Sequence, residues 1–176
     1  MIRDTFKFVL IILLIVVPVR IFIAQPFIVN GASMDPTFEH GEYLIVDQIS
    51  YRFNKPERGD VIVFKYPNDT RQFFIKRVIG LPGERIKIDG TKVTIFNEEY
   101  PDGKVLDEPY IKSNSRHGSK PDVILSNSEY YVLGDNRLES SDSRSWGPLR
   151  KELIIGRPLV RLLPPGSISF LPGVFN

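Results

Sequence analysis

The sequence predicts a mostly β protein, an antiparallel β-sheet domain behind one N-terminal transmembrane helix. Three observations predict it. An uncharged apolar run, FVLIILLIVVPV, fills Phe8 to Val19. Short runs rich in Val, Ile, Phe and Tyr then recur between Gly, Pro, Asn and Asp. No long amphipathic helical pattern and no internal repeat follows the apolar run. A length of 176 residues suits one folded domain with an appendage. The expected division is 1–25 for a membrane anchor and 26–176 for the β domain.

Continued to Val29, the apolar run has 22 residues and one charge, Arg20. About 20 residues cross ~30 Å of hydrocarbon as a helix. Pro18 is tolerated inside such a helix, and Arg20 near its end can snorkel to the interface. A cleaved leader would end in a small-x-small site. Phe22 stands two residues before Ala24 and Asn30 two before Ala32, so neither alanine completes one. A buried core helix would show a polar face, and none occurs between Phe8 and Val19. The expectation is an uncleaved anchor. Arg3, Lys7 and the terminal amine precede it and only Arg20 follows, which favours a cytoplasmic N-terminus and an extracytoplasmic domain.

Expected strands are Glu42–Val46, Val61–Tyr66, Phe73–Ile79, Arg85–Ile88, Lys92–Phe96, Tyr130–Leu133 and Ile155–Leu163. Asp89-Gly90 between IKI and KVTIF signals a hairpin, and Pro82-Gly83 a turn. Asn97 to Ser128 is polar and poor in aliphatic residues, which reads as a long surface loop or a small excursion subdomain. The apolar, proline-rich stretch Leu162–Leu171 suits either a tail packed on the core or a membrane-facing patch.

Composition excludes several functions. Lys and Arg number 23 against 21 Asp and Glu, so there is no basic excess of the kind that nucleic acid demands. A chain with 42% hydrophobic and 25% charged residues is not disordered. The absence of cysteine removes disulfides, zinc fingers, iron–sulfur clusters and thiol catalysis. The two histidines, His40 and His117, form no His-Glu-x-x-His pattern, so a histidine-rich metal site is not expected.

Three segments carry residues suited to chemistry. Gly31-Ala32-Ser33-Met34-Asp35-Pro36-Thr37 sets a serine between small residues and a proline turn, where another backbone can approach closely. A serine in such a turn also commonly bonds its own backbone. In the strand Phe73–Ile79, the period of two puts Lys76 on one face with Phe74 and Val78, and Arg77 on the other with Ile75 and Ile79. Apolar flanks desolvate an amine and lower its pKa, which suits a general base. An edge-strand lysine that guards against aggregation looks the same in sequence. The third segment, Gly134 to Arg144, follows the apolar run YYVL and is dense in hydrogen-bonding groups. It lacks the alternating acidic pattern and glycine of a calcium loop.

Together these segments resemble bacterial type I signal peptidases, the membrane-anchored Ser–Lys proteases that remove signal peptides from exported proteins. The resemblance rests on four boxes in order: Ser33-Met34-Asp35-Pro36-Thr37, Arg58-Gly59-Asp60-Val61-Ile62-Val63-Phe64, Lys76-Arg77-Val78-Ile79-Gly80-Leu81-Pro82-Gly83, and Gly134-Asp135-Asn136 continuing through Ser140 and Asp142-Ser143-Arg144. It implies Ser33 as nucleophile, Lys76 as general base and Ser140 as the hydroxyl that orients the lysine amine. It implies Arg77 with Asp135, and Asp142 with Arg144, as supporting ion pairs. It implies that the Ser33 backbone N–H serves the oxyanion hole, and that Phe27, Val29, Met34, Phe74 and Ile75 line the pockets for the substrate's P1 and P3 side chains. The family fold is an antiparallel β core with a β-rich insertion, here at about 84–129. Peptide hydrolysis would run through an acyl-enzyme, without metal or cofactor.

The implied substrates are secretory preproteins with small-x-small sites, with membrane lipid and the export translocon as further partners and no nucleic acid. The implied location is the inner or plasma membrane, single-pass. Gly31 departs from those members that carry a serine two residues before the nucleophile, whose hydroxyl completes the oxyanion hole. Loss of such a donor costs ~10²–10³ in turnover where nothing replaces it, although glycine is also common there in the family. Alternatives are an organelle inner-membrane peptidase of the same family, a self-cleaving repressor-type protein, and a membrane-anchored β module that binds without catalysis. The repressor reading would need a DNA-binding domain, and none fits in the apolar N-terminus.

Overall fold

The computed structural model describes residues 2–18, 24–90, 92–111 and 120–174. The N-terminal run forms helix α1 (Ile2–Pro18) of 17 residues, ~25 Å long at ~1.5 Å per residue against the ~30 Å of a bilayer's hydrocarbon. Among the described residues, no helix is long and apolar enough to cross a membrane. Residues 19–23, where the expected span continues, lie outside the described residues. From Ala24 the chain is extended. Strand β1 (Ala24–Ile28) pairs antiparallel with β2 (Tyr43–Asp47), from Ala24↔Asp47 to Ile28↔Tyr43. The end of the apolar run is therefore a strand and not helix. Pro26, which has no N–H, is accommodated because β1 is the edge of its sheet.

The chain continues through α2 (Ser50–Phe53), β3 (Val61–Tyr66), β4 (Asp69–Gly80), β5 (Arg85–Asp89), β6 (Lys92–Phe96), β7 (Lys104–Val105), β8 (Lys120–Ile124) and β9 (Glu129–Leu133). It closes with α3 (Ser143–Trp146), β10 (Leu149–Arg150), β11 (Ile154–Leu163) and β12 (Ser169–Phe170). The larger sheet runs β1-β2-β11-β3-β4-β9-β10 with β12 beside β11, and the smaller runs β7-β6-β5-β8. The described pairings are antiparallel, as the alternating strand patterns imply. Strand β4 begins at Asp69, earlier than expected, because Thr70 to Phe73 are exposed and show no alternation. The polar stretch after Asn97 is not wholly loop, since β7 and β8 add to β6 and β5. At the β5–β6 hairpin, Asp89↔Lys92 closes the turn and Gly90 takes φ +59°, the left-handed backbone such turns need.

Strand β4 divides the core. Ile79 packs with Ile86, Ile88, Val93 and Ile95 of the smaller sheet, while the adjacent Val78 packs with Ile62, Phe64, Tyr130, Val132 and Leu149. A third cluster, Val29, Met34, Phe38, Leu44 and Val61, surrounds the Ser33 turn. The apolar residues Leu162, Leu163, Ile168, Phe170 and Leu171 of the C-terminal stretch are exposed, and close packing returns only beyond it, at Gly173. Gly173 is wedged where a Cβ would come within 2.9 Å of Phe38 and Val61, whereas Phe170 is 78% exposed.

Candidate active site

Buried residues on both sides hold the Ser33 turn. Val29 N–H donates to the Glu42 carbonyl at 2.9 Å, and Phe38 N–H donates to the Met34 carbonyl at 3.0 Å. Met34 and Phe38 are fully buried, so the turn cannot lift without opening the third cluster. Gly31 turns the chain at φ +92°, and its N–H donates to His40 Nδ1 at 3.2 Å.

Lys76 comes from the middle of β4, opposite Ile62 of β3. Its Nζ lies 2.7 Å from Ser33 Oγ and donates to the Ile75 carbonyl at 2.8 Å. The first contact can be donated by an ammonium or, once the amine is neutral, accepted from the serine hydroxyl. Lys76 is buried, and both hydrogen bonds go to uncharged oxygens. Desolvation therefore lowers its pKa from an ordinary 10.5 to about 8, with Asp142 and then Asp135 opposing the shift from a distance.

The loop after β9 grips the same turn from the other side. Asn136 N–H donates to the Ser33 carbonyl and Asn136 Nδ2 to the Ala32 carbonyl, each at 3.1 Å. Gly134 is required by close approach, because a Cβ there would overlap the Ser33 carbonyl and the Ser140 side chain. Asp142 accepts from Gly134 N–H at 3.1 Å and from Arg144 Nε and Nη2 at 2.7 Å each. Burial raises the Asp142 pKa, but its hydrogen bonds and the Arg144 charge outweigh that and hold it below the ordinary value. The Ser140 hydroxyl is close enough to assist in this, yet it makes no well-formed hydrogen bond to Asp142 or to Lys76. The expected Ser140–Lys76 bond is thus missing, and the Ile75 carbonyl takes that place on the amine.

Arg77 faces away from Lys76 and is saturated. Nε and Nη2 donate to Asp135 at 2.9 and 2.6 Å, and Nη1 donates to the Gly59 and Gly173 carbonyls at 2.7 Å each. Thr37 Oγ1 donates to the same Asp135 at 2.6 Å, which ties the far end of the serine turn to the ion pair.

A cleft of about 520 Å³ opens at Ser33 and Lys76, with Phe27, Val29, Phe74 and Ile75 in its walls. Met34, expected with them, is 1% exposed and packs behind the wall against Val29, Phe38, Leu44 and Val61. Sequence reasoning missed Phe73, which lines the cleft and meets Phe27 edge-on at 5.3 Å between ring centres. It also missed the buried pair of Arg137 with Glu108, at 2.5 Å. Arg137 lies inside the fourth box, but nothing local points to a partner in the polar stretch. Among the described residues, no cluster of acidic or histidine side chains could hold a metal.

Residues 2–163 match the family model described as signal peptidase, peptidase S26, which makes the chain a serine peptidase by class. A probable signal peptidase I-1 of Synechocystis is 36% identical over 184 residues, covering 97% of this chain and 90% of that protein. Signal peptidase I of Leptolyngbya laminosa is 41% identical over 160 residues, covering 87% and 75% respectively. A crystal structure of a signal peptidase I from Enterococcus faecalis covers 59% of this chain and 97% of its own, at 29% identity and a TM-score of 0.49. The chain belongs to the signal peptidase family. Membership decides against a repressor or a module that only binds.

Proposed function

We propose that this signal peptidase removes signal peptides with Ser33 as nucleophile and Lys76 as general base. The observation that carries the assignment is the 2.7 Å contact between Lys76 Nζ and Ser33 Oγ at the head of the cleft. A serine hydroxyl is a poor nucleophile until a base takes its proton, and a buried amine with a pKa of about 8 supplies a neutral base near physiological pH. Ser33 Oγ bonds to the scissile carbonyl carbon as its proton passes to Nζ. The tetrahedral intermediate expels the amine of the mature chain, which takes that proton. Water then attacks the acyl-enzyme, giving its proton to Nζ, and Ser33 recovers a proton as the signal peptide leaves.

The Ser33 backbone N–H serves the oxyanion hole in this reading, with no side-chain donor from Gly31. Phe27, Val29, Phe74 and Ile75 face the small side chains of a small-x-small site, with Met34 as their backing. Arg77–Asp135 and Asp142–Arg144 hold the frame. The apolar N-terminal run anchors the enzyme in the plasma membrane, with the N-terminus cytoplasmic and residues 26–176 outside, beside membrane lipid and preproteins emerging from the translocon. The test is cleavage of a preprotein by the detergent-solubilised chain. The parent cuts at the small-x-small site, whereas Ser33→Ala and Lys76→Ala fold but do not cut; retained cleavage by either variant overturns the assignment.

A further inference from the structure

The segment Glu108-Pro109-Tyr110 lies within the polar stretch that sequence reads as a loop, yet it touches both arginines that flank the proposed catalytic pair. Glu108 accepts from Arg137 Nη2 at 2.5 Å and Nη1 at 3.1 Å, a fork-to-fork pair with both side chains almost wholly buried. Tyr110 donates its hydroxyl to the same Glu108 at 3.0 Å and lays its ring against the Arg77 guanidinium, 4.1 Å from the ring centre. Arg137 in turn closes the loop that grips the nucleophile. Its Nε donates to the Gly134 carbonyl at 2.9 Å, and its own carbonyl accepts from Arg144 at 2.7 Å. Between those two ties sits Asn136, which holds the Ser33 and Ala32 carbonyls.

From this we infer that Glu108 and Tyr110 are positioning residues: through Arg137 and Asn136 they fix the Ser33 backbone, and through the Tyr110 ring they seat Arg77 behind Lys76. The segment Glu108–Tyr110 completes the site without touching substrate. The inference rests on Ser33 and Lys76 being the reacting pair. A charge buried in a fork has one geometry, so loss of Glu108 frees Arg137 to seek water and lets the 134–144 loop shift. A displacement of about 1 Å at a reacting atom can cost ~10²-fold in rate.

The test uses the full chain in detergent and a short soluble peptide bearing a small-x-small site. Rates are expressed per folded molecule, with the folded fraction taken from near-ultraviolet circular dichroism. Glu108→Gln, nearly isosteric, is expected to lower kcat about tenfold or more with KM within about twofold, since the segment orients the nucleophile and does not bind substrate. Arg137→Gln is expected to do the same, and the double variant to be no worse than the poorer single one, because one path carries both effects. Tyr110→Phe keeps the ring and loses only the bond to Glu108, so a two- to threefold loss of kcat is expected; it carries the test if Glu108→Gln does not fold. Wild-type kcat in folded Glu108→Gln, a loss confined to KM, or additive losses in the double variant overturns the inference. Ser33→Ala separates the two levels. If it still cleaves, the catalytic assignment is wrong. If it is dead while Glu108→Gln is normal, only the brace is wrong.

Discussion

Lys76 and Arg77 are consecutive residues of one strand, and the two faces of β4 treat them in opposite ways. Both are buried cations. Arg77 is given a carboxylate in two-toothed contact, two backbone carbonyls and an aromatic ring. Lys76 is given a serine hydroxyl, one carbonyl and a position over the Phe74 ring, 5.3 Å from its centre. Burial is common to both; the difference is the counter-charge. A paired buried cation stays ionised and fixes structure, whereas an unpaired one is pushed towards neutrality and becomes a base.

The largest expected effect breaks the contrast on the Lys76 face. Replacing Lys76 with Arg, which cannot lose its proton, is expected to lower preprotein cleavage by ~10⁴-fold or more, as is Ser33→Ala. An active Lys76→Arg enzyme would rule out lysine as the base. On the Arg77 face, Asp135→Asn leaves a buried guanidinium uncompensated and is expected to cost about 3–5 kcal/mol of stability, read from the urea midpoint. A cost below ~1 kcal/mol would mean that the carbonyls alone hold Arg77.

Lys76→Met sharpens the comparison by inverting the sign. The folded pKa, about 8, lies below the ordinary 10.5, so between these values the unfolded chain binds more protons and wild-type stability rises with pH. Below pH 8 the wild type bears the full cost of a charge forced into a dry site. Lys76→Met is therefore expected to be inactive yet more stable by roughly 1–3 kcal/mol at pH 6, with the gain fading towards pH 10. Melting curves across that range check it. Cleavage of a short peptide by the parent should rise about tenfold per pH unit below a midpoint near 8 and then level off, following the neutral amine. A profile flat from pH 6 to 9 contradicts a base of that pKa.

The smallest effect concerns Gly31. Space is open around it, but φ +92° is a backbone that side chains resist. Gly31→Ser is expected to cost about 1 kcal/mol or slightly more in stability, and to change kcat only a few-fold unless its hydroxyl reaches the oxyanion. A hundredfold gain in kcat would show an underfilled hole.

The strands that were legible in the sequence are those of about five residues or more, rich in β-branched and aromatic side chains. Val61–Tyr66 was read to the residue as a continuous apolar run buried on both faces, and Lys92–Phe96 by its alternation against a core. Strands β7, β10 and β12 have two residues each and carry no period. The site was legible through Ser33, Lys76 and the box Gly134–Arg144, whose members are close in sequence or come from a shared motif. What stayed hidden were contacts across long sequence separations: Glu108 to Arg137, and Arg77 to the Gly173 carbonyl. The oxygen of one surface glycine is indistinguishable in sequence from that of any other. Of the residues assigned to the anchor, Ala24 and Gln25 lie in strand β1, because nothing in the apolar run itself marks where helix gives way to strand.

The bond from Arg77 to the Gly173 carbonyl has a consequence for timing. A chain made from its N-terminus contains Ser33 and Lys76 long before Gly173 is added. Until then Arg77 lacks one of its oxygen ligands, and the apolar packing of Phe38 and Val61 lacks the glycine that seals it. The growing chain therefore carries both residues of the proposed pair while the frame around Arg77 is unfinished. A chain cut short before Gly173 is expected to seat Arg77, and with it the strand that carries Lys76, less firmly than the full one.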